Sequence, residues 1–298
     1  MIFHDSVLLQ ESIEALAIHP DGTYVDATYG GGGHSKEILK HLKGGKLFAF
    51  DQDATALNNV IPDQQIIMIN SNFRYIRNFL KLYKAVPVDG ILADLGVSSH
   101  QIDDPERGFS TRSKGELDMR MDQRKSLKAR EIINHYHEEK LIEIFRTYGE
   151  LTNAKKIARF IVSARKEKEI RTTIDLKEVL DKCYKQGHEN KFFAQVFQSV
   201  RIETNQELEA LKDLLVQSVD LLKQGGRIVI LAYHSLEDRL VKDFFRSGNF
   251  QGEIQKDFFG NPVIPLRVIN RKPIVAGNNE IAENSRARSV RLRIAEKI

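Results

Sequence analysis

Tyr24-Val-Asp-Ala-Thr-Tyr-Gly-Gly-Gly-Gly-His-Ser35 decides the fold: a short β-rich run enters four consecutive glycines and leaves them as a helix. Glycines at such a junction let the backbone turn sharply and approach a ligand closely. Four in a row exceed the needs of a plain turn, because each one adds backbone entropy that folding must remove. The dinucleotide fingerprint G-x-G-x-x-G is not met. Gly30 and Gly32 fit, but position 35 is serine, which disfavours a nicotinamide cofactor.

Outward from this stretch the same rhythm repeats. The pattern predicts strands at 24–28, 46–51, 66–70 and 89–94, separated by helices at 35–42, 54–60 and 74–84. Alternation of this kind indicates a parallel α/β sheet. From about Pro105 to Arg201 no strand is convincing, and charged amphipathic helices are expected at 127–148, 152–168, 175–186 and 190–200. A helix over 205–223 carries Leu208, Leu211, Leu214, Leu215, Val219 and Leu222 on one face, and Gly225-Gly226 is read as its end. A fifth strand at 227–233 and late strands at 264–269 and 289–295 complete the chain. The expected architecture is one discontinuous α/β domain, residues 1–104 and 204–298, interrupted by an all-helical domain at 105–203. Because parallel sheets bind ligands at the carboxyl ends of their strands, the insertion is expected to serve substrate recognition.

The composition is that of an ordinary globular chain: 298 residues, 41% hydrophobic and 29% charged. The one cysteine, Cys183, excludes an intrachain disulfide and a four-cysteine zinc cluster. No apolar run approaches the ~18 residues of a membrane helix. The N-terminal stretch carries His4, Asp5, Glu11 and Glu14 where a signal peptide would be basic and then apolar, so a cytoplasmic protein is expected. Net charge is only +4, but basic residues cluster at 107–130, 155–171 and 271–298, which suits a polyanionic partner.

Asp51 ends the second strand, where a carboxylate can accept both ribose hydroxyls of an adenosine-containing ligand. Asp53 is the better helix cap, which leaves Asp51 for the ligand. Phe73 follows the third strand, where its ring or adjacent backbone can meet adenine, and Asp94 ends the fourth. Metal hydrolysis finds no support: H-E-x-x-H and the Walker motif are absent, and His135 and His137, read as lying in one helix, are spaced wrongly to share its face.

Five blocks then resemble one family. They are Gly30-Gly-Gly-Gly-His-Ser35, Val88 to Asp103, Glu106-Arg-Gly-Phe109, Leu117-Asp-Met-Arg-Met-Asp122 and His234-Ser-Leu-Glu-Asp-Arg239. The chain resembles the bacterial 16S ribosomal RNA cytosine-N4 methyltransferases, small subunit methyltransferase H, from His4 to the end. The resemblance implies a class I, Rossmann-like doubly wound fold with an inserted helical domain. It also implies S-adenosylmethionine as cofactor and methylation of N4 of a decoding-centre cytosine in the small subunit. Through it the cofactor site maps to Gly32, Gly33, His34, Asp51, Phe73, Asp94 and Gln101. The chain departs from the family at His100, Ala232-Tyr233, Ser285 and residues 187–194.

Cytosine N4 is a poor nucleophile, because its lone pair is delocalised into the ring. Methyl transfer therefore needs N4 held on the reaction axis and its N–H groups accepted. The amino-methyltransferase motif with paired prolines is absent, and Asp94-Leu-Gly-Val-Ser-Ser99 stands in its place. Asp94, Ser98 and His234 are the candidates for the chemistry, and Arg107, Arg112, Arg239, Arg286 and Arg288 for RNA contact. Two other readings stand beside this one: a nicotinamide-dependent oxidoreductase on a similar sheet, and a catalytically silent ribosome-assembly factor.

Overall fold

The computed structural model describes residues 6–298, so His4 and Asp5 lie outside the described residues. The chain divides into two compact units, one of residues up to Gly96 and from Leu208 to Ile298, the other Val97–Glu207.

The first unit holds α1 (Leu9–Leu16), β1 (Thr23–Asp26), α2 (Gly33–His41), β2 (Lys46–Phe50), β3 (Ile66–Ile69), α3 (Ile76–Leu82) and β4 (Val88–Asp94). In the second unit lie α4 (Ser99–Asp103), α5 (Ala129–His135), α6 (Glu138–Thr147), α7 (Ala154–Glu167), α8 (Thr173–Val179) and α9 (Glu189–Asn205). The chain re-enters the first unit along α10 (Glu207–Leu221) and continues through β5 (Leu222–Ala232), α11 (Ser235–Ser247), β6 (Leu266–Val268), α12 (Asn278–Glu283) and β7 (Arg291–Lys297).

The strands form one seven-stranded sheet of order β3-β2-β1-β4-β5-β7-β6. The first five run parallel, and β7 lies antiparallel to both β5 and β6. Period-two alternation sends successive side chains to opposite faces. Ile91, Ala93, Ile228 and Ile230 pack with Ile76 and Leu80 of α3, Leu211, Leu214 and Leu215 of α10, and Phe244 and Phe245 of α11. Leu92, Val229, Leu231, Leu292 and Ile294 point the other way, onto Ile13 and Leu16 of α1 and Ile38 and Leu39 of α2. Both faces of the sheet are thus covered by helices, and the expected doubly wound α/β fold is present.

The second unit is helical with its own apolar core. Ile132 and Ile133 of α5, Leu141, Ile144 and Phe145 of α6, Ile157 and Ile161 of α7 and Phe193, Val196 and Phe197 of α9 meet there, joined by Leu117, Met119 and Met121 from the preceding loop.

Several elements differ from expectation. The single helix read at 127–148 is two, because Tyr136 and His137 take extended backbone angles. His135 therefore ends α5 while His137 precedes α6, so they do not share a helix. The glycine pair does not end α10, which stops at Leu221. It lies within β5, where pairing jumps from Val88–Leu222 to Gly90–Arg227 and the intervening residues bulge out. A Cβ at Gly226 would fall 3.0 Å from the Asp89 carbonyl oxygen, so the close strand approach demands glycine. Residues 235–247, for which no element was predicted beyond the His234–Arg239 block, form the long helix α11.

Candidate active site

Three strands of the parallel sheet end in a carboxylate. Asp26 closes β1, Asp51 follows β2 and Asp94 closes β4. Each is tied to the loop connecting β1 to α2. Asp26 Oδ2 accepts the Ser35 hydroxyl at 2.6 Å and Oδ1 the Thr28 amide at 3.0 Å. Asp51 accepts the Gly30 amide at 2.8 Å and, through its other oxygen, the Asp53 amide at 2.8 Å. The Asp94 amide donates to Thr28 Oγ1 at 2.6 Å. Asp53 itself caps the short 3-10 helix Ala54–Asn59, as its position suggested.

Burial shapes the electrostatics. It pushes Asp51 and Asp94 each up to about 6, although backbone donors to Asp51 and the His34 imidazole and Tyr233 hydroxyl beside Asp94 pull the other way. Asp26, 1% exposed, is also raised by burial, despite the Ser35 hydroxyl and neighbouring His34. The negative field of Asp26 adds to the shift at both other carboxylates.

The glycine loop has two kinds of position. Gly32 has φ +80°, and a Cβ there would lie 2.6 Å from the Tyr29 hydroxyl; one at Gly33 would lie 2.0 Å from Ser6 Oγ. The protein's own side chains thus require these two glycines. Over Gly30, by contrast, a Cβ would meet nothing nearer than 3.9 Å, which leaves room above the loop. His34 is buried at the start of α2. Its Nε2 lies 3.2 Å from the Val7 carbonyl, which can only accept, so Nε2 carries the proton; Nδ1 lies 3.8 Å from Asp94 Oδ2. Phe73 begins the 3-10 turn that follows β3 and packs its partly buried ring on the sheet core. Asn70 and Asn72 reach back to the Asp51 carbonyl and the Gln52 side chain, binding the ends of β3 and β2 together.

Other residues singled out in the sequence have local duties. Ser98 caps α4 by accepting the Gln101 amide, and Gln101 Oε1 accepts the Ser98 amide, both within the second unit. His234 caps α11: its Nδ1 accepts the Glu237 amide, Nε2 stands 3.2 Å from Glu237 Oε1, and Glu237 Oε2 accepts the Tyr233 amide at 2.9 Å. Arg107 is 3% exposed and donates to the carbonyls of Arg120 and Met121, so its side chain is turned into the second unit rather than to a partner. Arg112 is exposed in that unit. Much of the 107–130 basic cluster is balanced internally. Arg120 forks onto Asp118, Lys128 joins it, Arg124 meets Asp122 and Arg130 meets Glu169.

Arg239 is exposed on α11. Arg286 and Arg288 lie in the 3-10 turn Ser285–Ser289 just before β7. Since Arg291 pairs with Ala232 at the end of β5, that turn stands at the same carboxyl edge as the three carboxylates. Two residues apart on β7, Arg291 and Arg293 share one face of the strand. Arg291 is exposed, but Arg293 is 7% exposed and bound to Asp238, because α11 covers its side of the sheet. Sequence reasoning missed Asp26, Thr28 and Tyr233. The signal for Asp26 lay in the quoted stretch itself, as a carboxylate at a strand end.

A doubly wound sheet with a final antiparallel strand, a glycine loop after β1 and acids after β1, β2 and β4 defines the class I S-adenosylmethionine-dependent methyltransferases. The chain belongs to the MraW methylase family, whose sequence model matches residues 1–298. Among its relatives, ribosomal RNA small subunit methyltransferase H of Flavobacterium johnsoniae is 54% identical over 299 residues, covering 100% of this chain and 99% of that protein. The proteins of the same name from Christiangramia forsetii and Phocaeicola vulgatus are each 52% identical, the first covering 100% and the second 99% of this chain, and 99% and 98% of their own lengths.

Proposed function

We propose that this chain transfers a methyl group from S-adenosylmethionine to the exocyclic N4 of a decoding-centre cytosine in 16S ribosomal RNA, within the small ribosomal subunit. One observation carries the reading: three carboxylates, Asp26 buried and Asp51 and Asp94 half-buried, converge on a glycine loop with open space above Gly30. Such a field favours a ligand with positive charge and hydroxyl donors, and S-adenosylmethionine offers a sulfonium, an ammonium and two ribose hydroxyls. It disfavours the pyrophosphate of a nicotinamide dinucleotide, which would meet like charge. The names of the relatives support ribosomal RNA as substrate, and that substrate implies work in the cytoplasm.

Asp51 would hold the ribose, Phe73 the adenine, and the loop from Gly30 to His34 the methionine portion. When bound, S-adenosylmethionine supplies an electrophilic methyl group. The protein must then align N4 and accept its N–H groups as positive charge develops. Asp94 suits this second task, since a carboxylate raised to about 6 is ionised at neutral pH yet basic enough to take a proton. The His34 ring stands beside it, with Nδ1 3.8 Å from Oδ2. Because its Nδ1 already accepts an amide, His234 is better suited to anchoring α11 than to receiving that proton. Arg112, Arg239, Arg286 and Arg288 are the proposed RNA contacts, and the second unit the proposed recognition domain.

Tritium transfer from labelled S-adenosylmethionine to purified small subunits, with the product nucleoside identified by chromatography, tests the proposal. Absence of label, with cofactor binding intact, would instead fit a silent assembly factor.

A further inference from the structure

Asp94 is faced from four elements. At the end of β5, the Tyr233 hydroxyl donates to Asp94 Oδ1 at 2.7 Å. From α2, His34 Nδ1 stands 3.8 Å from Oδ2. Asp26 at the end of β1 and Glu237 in the first turn of α11 contribute negative charge that opposes ionisation of Asp94. Burial, and then the adjacent Asp94 charge, push the Tyr233 phenol well above its ordinary range, so it remains protonated and can act as a donor at any working pH.

We propose that Tyr233 is a positioning residue for methyl transfer: its hydroxyl fixes Asp94 through Oδ1 and so holds the carboxylate in place for the reacting amine. This rests on the functional reading above. A hydrogen bond donated to a carboxylate stabilises the charged form. Without it, burial and the two neighbouring acids act unopposed except by His34, and Asp94 protonates at higher pH.

The test is Tyr233→Phe, which keeps the ring and removes only the hydroxyl. Cofactor affinity by calorimetry and single-turnover transfer to small subunits are followed from about pH 5 to about pH 9. The expected result is an acidic limb displaced upward by about one unit, equivalent to the ~1.36 kcal/mol of one pKa unit. The rate should return toward that of the parent at the alkaline end. An unchanged midpoint, or a loss uniform across pH, overturns the proposal. If the variant does not fold, 3-fluorotyrosine placed at position 233 gives a more acidic donor. The midpoint should then move down, and no movement overturns the proposal equally. A parent protein that binds no S-adenosylmethionine at any pH refutes the reading of the site, and this inference with it. Normal parent binding beside an unshifted variant refutes this inference alone.

Discussion

Arg293 Nε lies 2.5 Å from Asp238 Oδ1, and its Nη2 3.2 Å from Oδ2, joining the middle of β7 to the first turn of α11. Arg291 adds a second contact to Oδ2 at 3.0 Å. Burial pushes the Asp238 carboxyl up, but the two guanidinium groups outweigh it and hold the group below its ordinary value. Removing one partner of a buried pair leaves the other charge uncompensated, typically at about 3–5 kcal/mol. Asp238→Ala should therefore destabilise the first unit by about that amount in urea denaturation. A change below about 1 kcal/mol would show that water or relaxation replaces the pair.

Asp51→Ala should weaken S-adenosylmethionine binding by roughly 10- to 100-fold, the value of hydrogen bonds to a charged group at about 1.5–3 kcal/mol. The variant also frees the Gly30 and Asp53 amides. Calorimetry should be paired with circular dichroism to show that the loop change leaves the sheet intact. Unchanged affinity removes Asp51 from the site.

Asp94 gives a pH prediction of definite sign. Its folded-state value, about 6, lies above the ordinary 3.8, so folding favours the protonated form. That contribution to stability is full below about pH 4 and is lost as pH rises through about 6. The ligand-free parent should consequently gain from Asp94→Asn at pH 8, on the order of 2–3 kcal/mol, and little at pH 4. Asparagine can still accept from Tyr233 while its amide nitrogen faces His34 Nδ1. Melting temperatures across this range decide the matter: equal gains at both ends would contradict it. Methyl transfer should fall sharply in the same variant.

Replacing Arg286 and Arg288 by Gln should weaken binding to the small subunit and flatten its salt dependence by up to ~0.7–0.9 per lost phosphate contact. Cofactor affinity should not change. A parent-like salt slope would move the RNA surface to the exposed Lys155, Arg159 and Lys166 of α7.

The second unit carries an apolar core of its own, so residues 97–207 expressed alone should be helical and unfold cooperatively. It should bind no S-adenosylmethionine, because the three strand-end carboxylates belong to the first unit. A structureless fragment would show that the core needs the rest of the chain.

From residue 23 to residue 94 the sequence alone determined the architecture. Period-two apolar runs and helical periodicity alternate there with glycine punctuation, and these local signals admit few arrangements besides a parallel α/β sheet. Asp51 and Asp94 were legible as strand-end carboxylates for the same reason, since strand ends are local features. The tertiary structure alone decided how the remaining polar residues are used. Tyr233 reads as one more strand residue until the pairing of β4 with β5 brings it to Asp94. Arg293 reads as an exposed partner of Arg291 until α11 covers its face and Asp238 neutralises it. Arg107 reads as part of a basic surface until it turns inward to the carbonyls of Arg120 and Met121. In each case the deciding partner is distant in sequence or lies in an irregular loop, where periodicity carries no information. A charge's fate depends on what covers it, and packing settles that after the backbone pattern is complete.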